Sequence, residues 1–370
     1  MRRLRAVPAV PGPTLSAALL AALDGSGPAV LPVSTDPAEA ARVLAALRPD
    51  ERLEDEEVAL VVPTSGSTGE PKGVLLTAAC LHASAIAAEQ RLGGPGRWLL
   101  ALPVTHIGGL QVLLRSLAAG HEPVLGGLVE GTALLGDGRR YCSLVPTQLR
   151  RALADPAATD ALRSYDAVLV GAAATPLPLL QQARDEEVRL VTTYGMSETS
   201  GGCVYDGAPL PGVDATLDAR GRIGLTGDVV ARGYRLRPDL TAAAFAGRTY
   251  TTNDLGRYSG GRLTVLGRAD DMIVTGGEKV APAAVEAALA EHPAVAEVAV
   301  FGVPDEEWGG RVVAVVVLRP GATLTLEQAR TQVGAAVSRV AAPRELRLTR
   351  ALPLLASGKI DRRALPLTQP

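Results

Sequence analysis

The sequence predicts an α/β protein with a large N-terminal domain of parallel-sheet α/β layers, a β-rich subdomain, and a small α+β domain at the C-terminus. Three observations carry this. Between about Val58 and Tyr194 short apolar runs alternate with longer helical stretches, the pattern of a parallel sheet wrapped by crossover helices. After about Ala208 the texture changes to short β runs punctuated by glycine. Near Gly267 it changes again, to about a hundred residues of α+β character, enough for an independent domain.

Taken in order, the chain opens with Arg2, Arg3 and Arg5, then Pro8, Pro11 and Pro13 ahead of the apolar stretch Leu15 to Leu23. This reads as a proline-rich entry and a short amphipathic helix, not a cleaved leader. Strands are expected over Val58–Val62, Trp98–Leu102, Tyr141–Leu144, Ala167–Val170 and Val188–Thr193, with helices over Leu75–Leu92, Ile107–Ala119, Pro146–Ala154 and Leu177–Glu187. Ligands of such sheets gather at the C-terminal strand ends, where Thr64–Gly73, Gly171–Pro176 and Tyr194–Glu198 fall. The β-rich subdomain, about 208–266, includes Gly221–Thr226, Val229–Tyr234 and Arg262–Leu266. Beyond it, Pro282 starts a helix reaching His292, followed by strands Val295–Phe301 and Val312–Leu318, a helix over Leu326–Val340, and strand Leu346–Leu348. The expected division is 1–268 and 269–370.

Composition narrows the function classes. A net charge of −2 with 3% aromatic residues leaves no basic, aromatic-studded stripe for nucleic acid. No apolar run approaches the roughly 20 residues of a membrane span, so membrane insertion is not expected. Cys80, Cys142 and Cys203 lie far apart and odd in number, which fits small buried hydrophobes in a reducing, cytoplasmic setting. His82, His106, His121 and His292 show no metal-ligand spacing.

Only three of the 37 lysines and arginines are lysine: Lys72, Lys279 and Lys359, each close to glycine in a loop-like segment. A chain that writes its positive charge as arginine has kept lysine where a compact, mobile ammonium does what a planar guanidinium cannot. Thr64-Ser65-Gly66-Ser67-Thr68-Gly69-Glu70-Pro71-Lys72-Gly73 is a phosphate loop by composition: glycines let backbone N–H groups wrap an anion, hydroxyls add donors, and the ammonium balances charge. It is not a Walker A loop, because Pro71 precedes the lysine and Gly73 follows it.

This loop resembles the signature of the adenylate-forming superfamily of acyl-CoA synthetases, peptide-synthetase adenylation domains and luciferases. Further segments match in order: Leu102-Pro103 with His106, Tyr194-Gly195-Met196-Ser197-Glu198, Thr252-Asn253-Asp254, Gly267-Arg268-Ala269-Asp270-Asp271 and Ser357-Gly358-Lys359. The resemblance implies ATP, Mg²⁺ and coenzyme A as the small molecules handled. It implies that Lys359 bridges the acyl carboxylate and the α-phosphate, that Glu198 meets Mg²⁺, and that Asp254 and Arg268 hold the ribose. Gly171-Ala172-Ala173 with Tyr194, next to Gly195 and Ser197, would form the adenine slot. Asp270 occupies the hinge of a mobile C-terminal domain, and Lys279 would serve the thiol-transfer step.

Within the superfamily the chain most resembles the o-succinylbenzoate:CoA ligases of menaquinone synthesis, in their short actinobacterial form, with another aryl- or medium-chain acyl-CoA synthetase, or a non-catalytic adenylate-binding protein, as the alternatives. Gly93–Pro103, Ser143–Leu149 and Thr193–Gly207 carry this likeness. It implies a catalytic role for His106, which with Arg115 and Ser143 also lines an acid pocket suited to an aromatic dianion whose second carboxylate needs a cation. Thr105, Ser197 and Asn253 depart from the usual residues but keep hydrogen-bonding character, and the signature loop begins unusually early. A homodimer is compatible with the sequence, which does not fix the oligomeric state.

Overall fold

A computed structural model describes residues 2–65, 70–354 and 360–367. They form two compact units, one of Met1–Ala172, Ala183–Thr216 and Gly224–Thr252, the other of Ala173–Gln182, Leu217–Ile223 and Asn253–Pro370.

Up to residue 209 the described strands fall into two sheets where the alternation predicts one. In the first, β1 (Leu4–Pro8), β2 (Ala29–Val33) and β3 (Val58–Ser65) run parallel, β4 (Pro71–Thr77) turns back against β3, and the short strand Gly233–Tyr234 closes the far edge. Helices α1 (Pro13–Leu23) and α2 (Pro37–Leu47) make the crossovers. The N-terminal stretch is therefore a βαβα layer: the expected short helix is present as α1, and the proline-rich entry before it contains strand β1. Asp36 caps α2 by accepting from the Ala38 and Glu39 amides at 2.8 and 3.2 Å, with Pro37 at the first helical position. Leu4, Leu31, Val43, Leu47, Val58, Val61 and Leu75 form the shared core.

The helix expected over Leu75–Leu92 starts at Ala78 instead. Val74, Leu75 and Leu76 are an unbroken apolar run, which periodicity cannot assign, and they are consumed by the sheet. Thr77 then caps α3 (Ala78–Leu92), its Oγ1 accepting from the Cys80 amide at 3.1 Å.

In the second sheet β5 (Arg97–Leu99), β6 (Arg140–Leu144), β7 (Ala167–Val170) and β8 (Leu190–Met196) are parallel, with β9 (Gly201–Tyr205) and β10 (Ala208–Pro209) added antiparallel. Burial on both faces explains the continuous apolar sequence of β7, every residue of which is buried. Helix α3 touches β3, β4 and β9, so it lies between the sheets, and α4 (Ile107–Ala118) packs on β5, β6 and β9. Of the run expected over Val229–Tyr234, only the last two residues form a strand.

Arg235, next on the chain, is buried with a fully enclosed side chain. Its guanidinium donates to the carbonyls of Leu47, Arg48 (2.7 Å), Glu51 (2.8 Å) and Arg52 (3.0 Å) and to Glu54 at 3.1 Å. It thereby satisfies the carbonyls at the C-terminal end of α2, where a cation also suits the helix dipole.

In the second unit Val295–Asp305 and Gly309–Leu318 form a long hairpin with Glu345–Leu348 parallel to its second strand. Alternating residues bury both faces. Val312, Ala314 and Val316 pack with Val285 and Leu289 of helix Pro282–Ala290, while Val313 and Val315 pack with Phe301, Leu352 and Leu365. Helix Leu326–Ala336 opens with a Thr325–Gln328 capping box and ends four residues before the expected Val340.

Replacing Arg235 with alanine leaves four carbonyls without their donor and is expected to cost about 3 kcal/mol or more in the first denaturant-unfolding transition. Arg235→Lys should not restore it, because one ammonium cannot span the fork.

Candidate active site

Two of the expected loops, after β7 and β8, leave the second sheet, whereas Thr64 and Lys72 belong to the first. Thr64 and Lys72 face each other across the β3–β4 hairpin, the Thr64 hydroxyl donating to the Lys72 carbonyl at 3.3 Å. Ser65 is the last residue of β3. Gly66, Ser67, Thr68 and Gly69 lie outside the described residues, as do Ser357, Gly358 and Lys359.

The turn after β8 is built tightly. At Gly195 a Cβ would come 2.1 Å from the Gly201 carbonyl oxygen, so no side chain fits. Ser197 is buried, and Ser197–Thr199 form a single 3₁₀ turn. Ser200, left-handed at φ 54°, offers its carbonyl to Ser84 of α3 at 3.0 Å and to Gln111 of α4 at 2.6 Å. Two helices thus fix the position of the turn that carries Glu198.

The half-buried Glu198 accepts a hydrogen bond from the Tyr234 hydroxyl at 2.7 Å. The Tyr234 oxygen lies 3.5 Å from that of Tyr250, and the Lys72 ammonium stands 5.5 Å from the Tyr234 ring centroid. Burial and the Glu198 charge push the Tyr234 hydroxyl far above its ordinary range, so it stays a proton donor. The structure therefore brings Lys72 and Glu198 together around a tyrosine. Sequence reading missed Tyr234. Its signal was scarcity: in a chain with 3% aromatics, Tyr234, Phe245 and Tyr250 cluster with ring centroids 5.3 and 4.9 Å apart.

Beside β7, Gly171 has no room for a side chain, since a Cβ would lie 2.2 Å from the Thr193 Oγ1. Ala172 is left-handed at φ 67°, and Ala172 and Ala173 are exposed. Tyr194 is half-buried on β8.

His106 is exposed at the N-cap of α4. Arg115 lies about 13 Å further along the helix at 1.5 Å per residue, and only 3% of it is exposed. Its guanidinium carbon is 5.3 Å from the Trp98 ring centroid, and its buried Nε finds no hydrogen-bond partner among the described residues. The Trp98 and Tyr141 rings meet tilted by 47°, with centroids 4.9 Å apart. Because alternate residues of a strand share a face, Ser143 lies on the same side of β6 as Tyr141, the side that α4 covers.

In the second unit Asp254 and Arg268 are cross-strand partners, with a 3.9 Å ion pair. Arg268 also grips Asp270 through two parallel bonds of 2.9 and 2.8 Å. These bonds hold the guanidinium above its ordinary range. Burial works to raise the Asp270 carboxyl, but Arg268 outweighs it and the carboxyl sits below the usual range. Lys279 is exposed on the hairpin of Ile273–Thr275 with Glu278–Val280, opposite Val274.

Residues 14–236 match the model of the AMP-binding enzyme family, and residues 284–359 that of the AMP-binding enzyme C-terminal domain. The chain belongs to the AMP-binding enzyme family. A probable 2-succinylbenzoate–CoA ligase of Mycobacterium tuberculosis (strain H37Rv) is 50% identical to it over 375 residues, spanning 96% of each chain. The o-succinylbenzoate CoA synthetase of Bacillus subtilis, solved with its acyl-adenylate intermediate, is 27% identical with a TM-score of 0.75, covering 98% of this chain and 82% of that one. The same enzyme solved with ATP and a magnesium ion gives a TM-score of 0.73 with 83% of that chain covered.

The donor set suits Mg²⁺. Among the described residues no three His, Cys, Asp or Glu side chains gather as a ligand cluster. A single hard carboxylate fits an ion that keeps most of its positions for phosphate oxygens and water. The cysteines stand apart from this chemistry: all three are buried and free, and burial raises each thiol, that of Cys203 up to about 12. At pH 7 native protein should resist alkylation at all three positions, and denatured protein should take three equivalents. A raised folded-state value stabilises below the ordinary thiol value and is lost above it. Stability should therefore fall as pH climbs from 9 towards 12.

Proposed function

We propose that this chain is a 2-succinylbenzoate–CoA ligase that forms AMP. A substrate carboxylate oxygen attacks the α-phosphorus of ATP and pyrophosphate leaves. The coenzyme A sulfur then attacks the acyl carbon of the adenylate, its proton is lost, and AMP departs. Charge builds on phosphoryl oxygens in the first step, so fixed cations and donors are the main requirement. Thr64, Ser65, Gly66, Ser67, Thr68, Gly69 and Lys72 hold the departing pyrophosphate. Gly171, Ala172, Ala173, Tyr194, Gly195 and Ser197 frame the base, and Asp254 and Arg268 take the ribose. Glu198 holds Mg²⁺, which when bound neutralises phosphate charge. Lys359 bridges carboxylate and α-phosphate. His106, Arg115 and Ser143 receive the acid, with Asp270 as the hinge between 1–268 and 269–370, and Lys279 serving the thioester step.

The observation that supports this reading best is Arg115. A buried guanidinium normally has a carboxylate partner, because removing it from water unpaired is costly. Arg115 has an aromatic face and an Nε without a partner among the described residues. An aromatic acid with a second carboxylate supplies what is missing, and a fatty or plain benzoic acid does not. A panel of acids assayed for pyrophosphate release and CoA-dependent AMP release tests this, and faster turnover of benzoate or octanoate than of 2-succinylbenzoate would refute it. Arg115→Leu should raise KM for 2-succinylbenzoate at least tenfold, about 1.4 kcal/mol or more, with little change in KM for ATP.

Lys359→Ala should abolish adenylate formation while thioester formation from supplied adenylate persists. Equal loss of both steps would remove the assignment of that lysine to the first half-reaction.

A further inference from the structure

Glu198 is held by a residue that no phosphate-loop or ribose-side segment contains. Tyr234 is 6% exposed on the two-residue strand at the edge of β4, its backbone in register with Val74. Packing alone does not call for its hydroxyl. The ring lies edge-on to Phe245 at 5.3 Å, and phenylalanine would fill the same volume. The hydroxyl instead spends its proton on Glu198 Oε1 at 2.7 Å, while the ring face lies 5.5 Å from the Lys72 ammonium. One side chain therefore stands between the carboxylate and the cation expected to meet opposite parts of the same Mg²⁺-nucleotide.

We infer that Tyr234 is a positioning residue for the metal-binding carboxylate: its hydrogen bond fixes one orientation of Glu198 before the Mg²⁺-nucleotide arrives, and its ring keeps Lys72 on the pyrophosphate side. The inference rests on the proposed role of Glu198. A ligand group locked by a neighbour loses less entropy on binding, which is how outer partners tune metal affinity.

The test is Mn²⁺ binding in the presence of ATP, read from loss of the free-Mn²⁺ electron paramagnetic resonance signal, in wild type, Tyr234→Phe, Phe245→Leu and Glu198→Ala. Tyr234→Phe should weaken Mn²⁺ binding roughly tenfold, the scale of one hydrogen bond to a charged group. Metal-free ATP binding and the melting temperature should stay as in wild type. Phe245→Leu should lower the melting temperature and leave Mn²⁺ affinity alone. Wild-type affinity in Tyr234→Phe, or an equal loss in Phe245→Leu, would overturn the positioning role while Glu198→Ala still loses the metal. Wild-type affinity in Glu198→Ala would overturn the reading of Glu198 itself, and the inference with it.

Discussion

The arrangement of the first unit depends on four residues laid along the edge of β4. The Arg232 amide donates to the Leu75 carbonyl at 2.9 Å and the Arg235 amide to the Gly73 carbonyl at 2.8 Å, with Gly233 and Tyr234 paired between them. Gly233 is required: a Cβ there would lie 2.4 Å from Thr241 Cγ2 at a φ of 143°. Extended backbone sends successive side chains to opposite sides, so Tyr234 reaches Glu198 while Arg235 enters the end of α2. A slip of one residue in one direction would place the Arg235 guanidinium beside Lys72 and Leu236 under the four carbonyls, and in the other direction Gly233 beside Lys72 and the Tyr234 phenol under the carbonyls.

Arg235 and Arg115 show two ways of burying the same group. Arg235 is surrounded by acceptors, so its desolvation is offset within the protein and its contribution is to folding. Arg115 has an aromatic face and an Nε without a partner among the described residues, so among them its desolvation is offset only partly. The first arrangement is complete within the protein; the second leaves a buried N–H unanswered among the described residues. Burial alone does not distinguish them, since both are almost fully enclosed.

The sequence was most informative where composition departs from its own habit. Lysine is so rare that Lys72 marks its loop, and the C-terminal hairpin and helices follow from alternation and capping residues such as Thr325. Arg235 carried no such mark, being one arginine among many, and its partners lie more than 180 residues away. The same holds for the division into two sheets. Strand β3 has an apolar composition like that of β7, and its pairing with β2 and β4 places it elsewhere. The bond between Tyr234 and Glu198 spans 36 residues and is set by strand register, which no local pattern encodes.

Residues Arg48 to Glu57 read as a highly charged, proline-containing connector, the composition of a loop that tolerates cutting and insertion. The grip of Arg235 gives them the opposite character. With the carbonyls of Arg48, Glu51 and Arg52 all bound to one guanidinium, this segment is a moulded part of the core surface. A protease needs a stretch of backbone that can detach and extend into its cleft, and here detachment means uncovering a buried cation. Fusion partners or affinity tags inserted at this connector would disturb Tyr234 and Glu198 from more than a hundred residues away in sequence, whereas its charge makes it look like the safest place to put them.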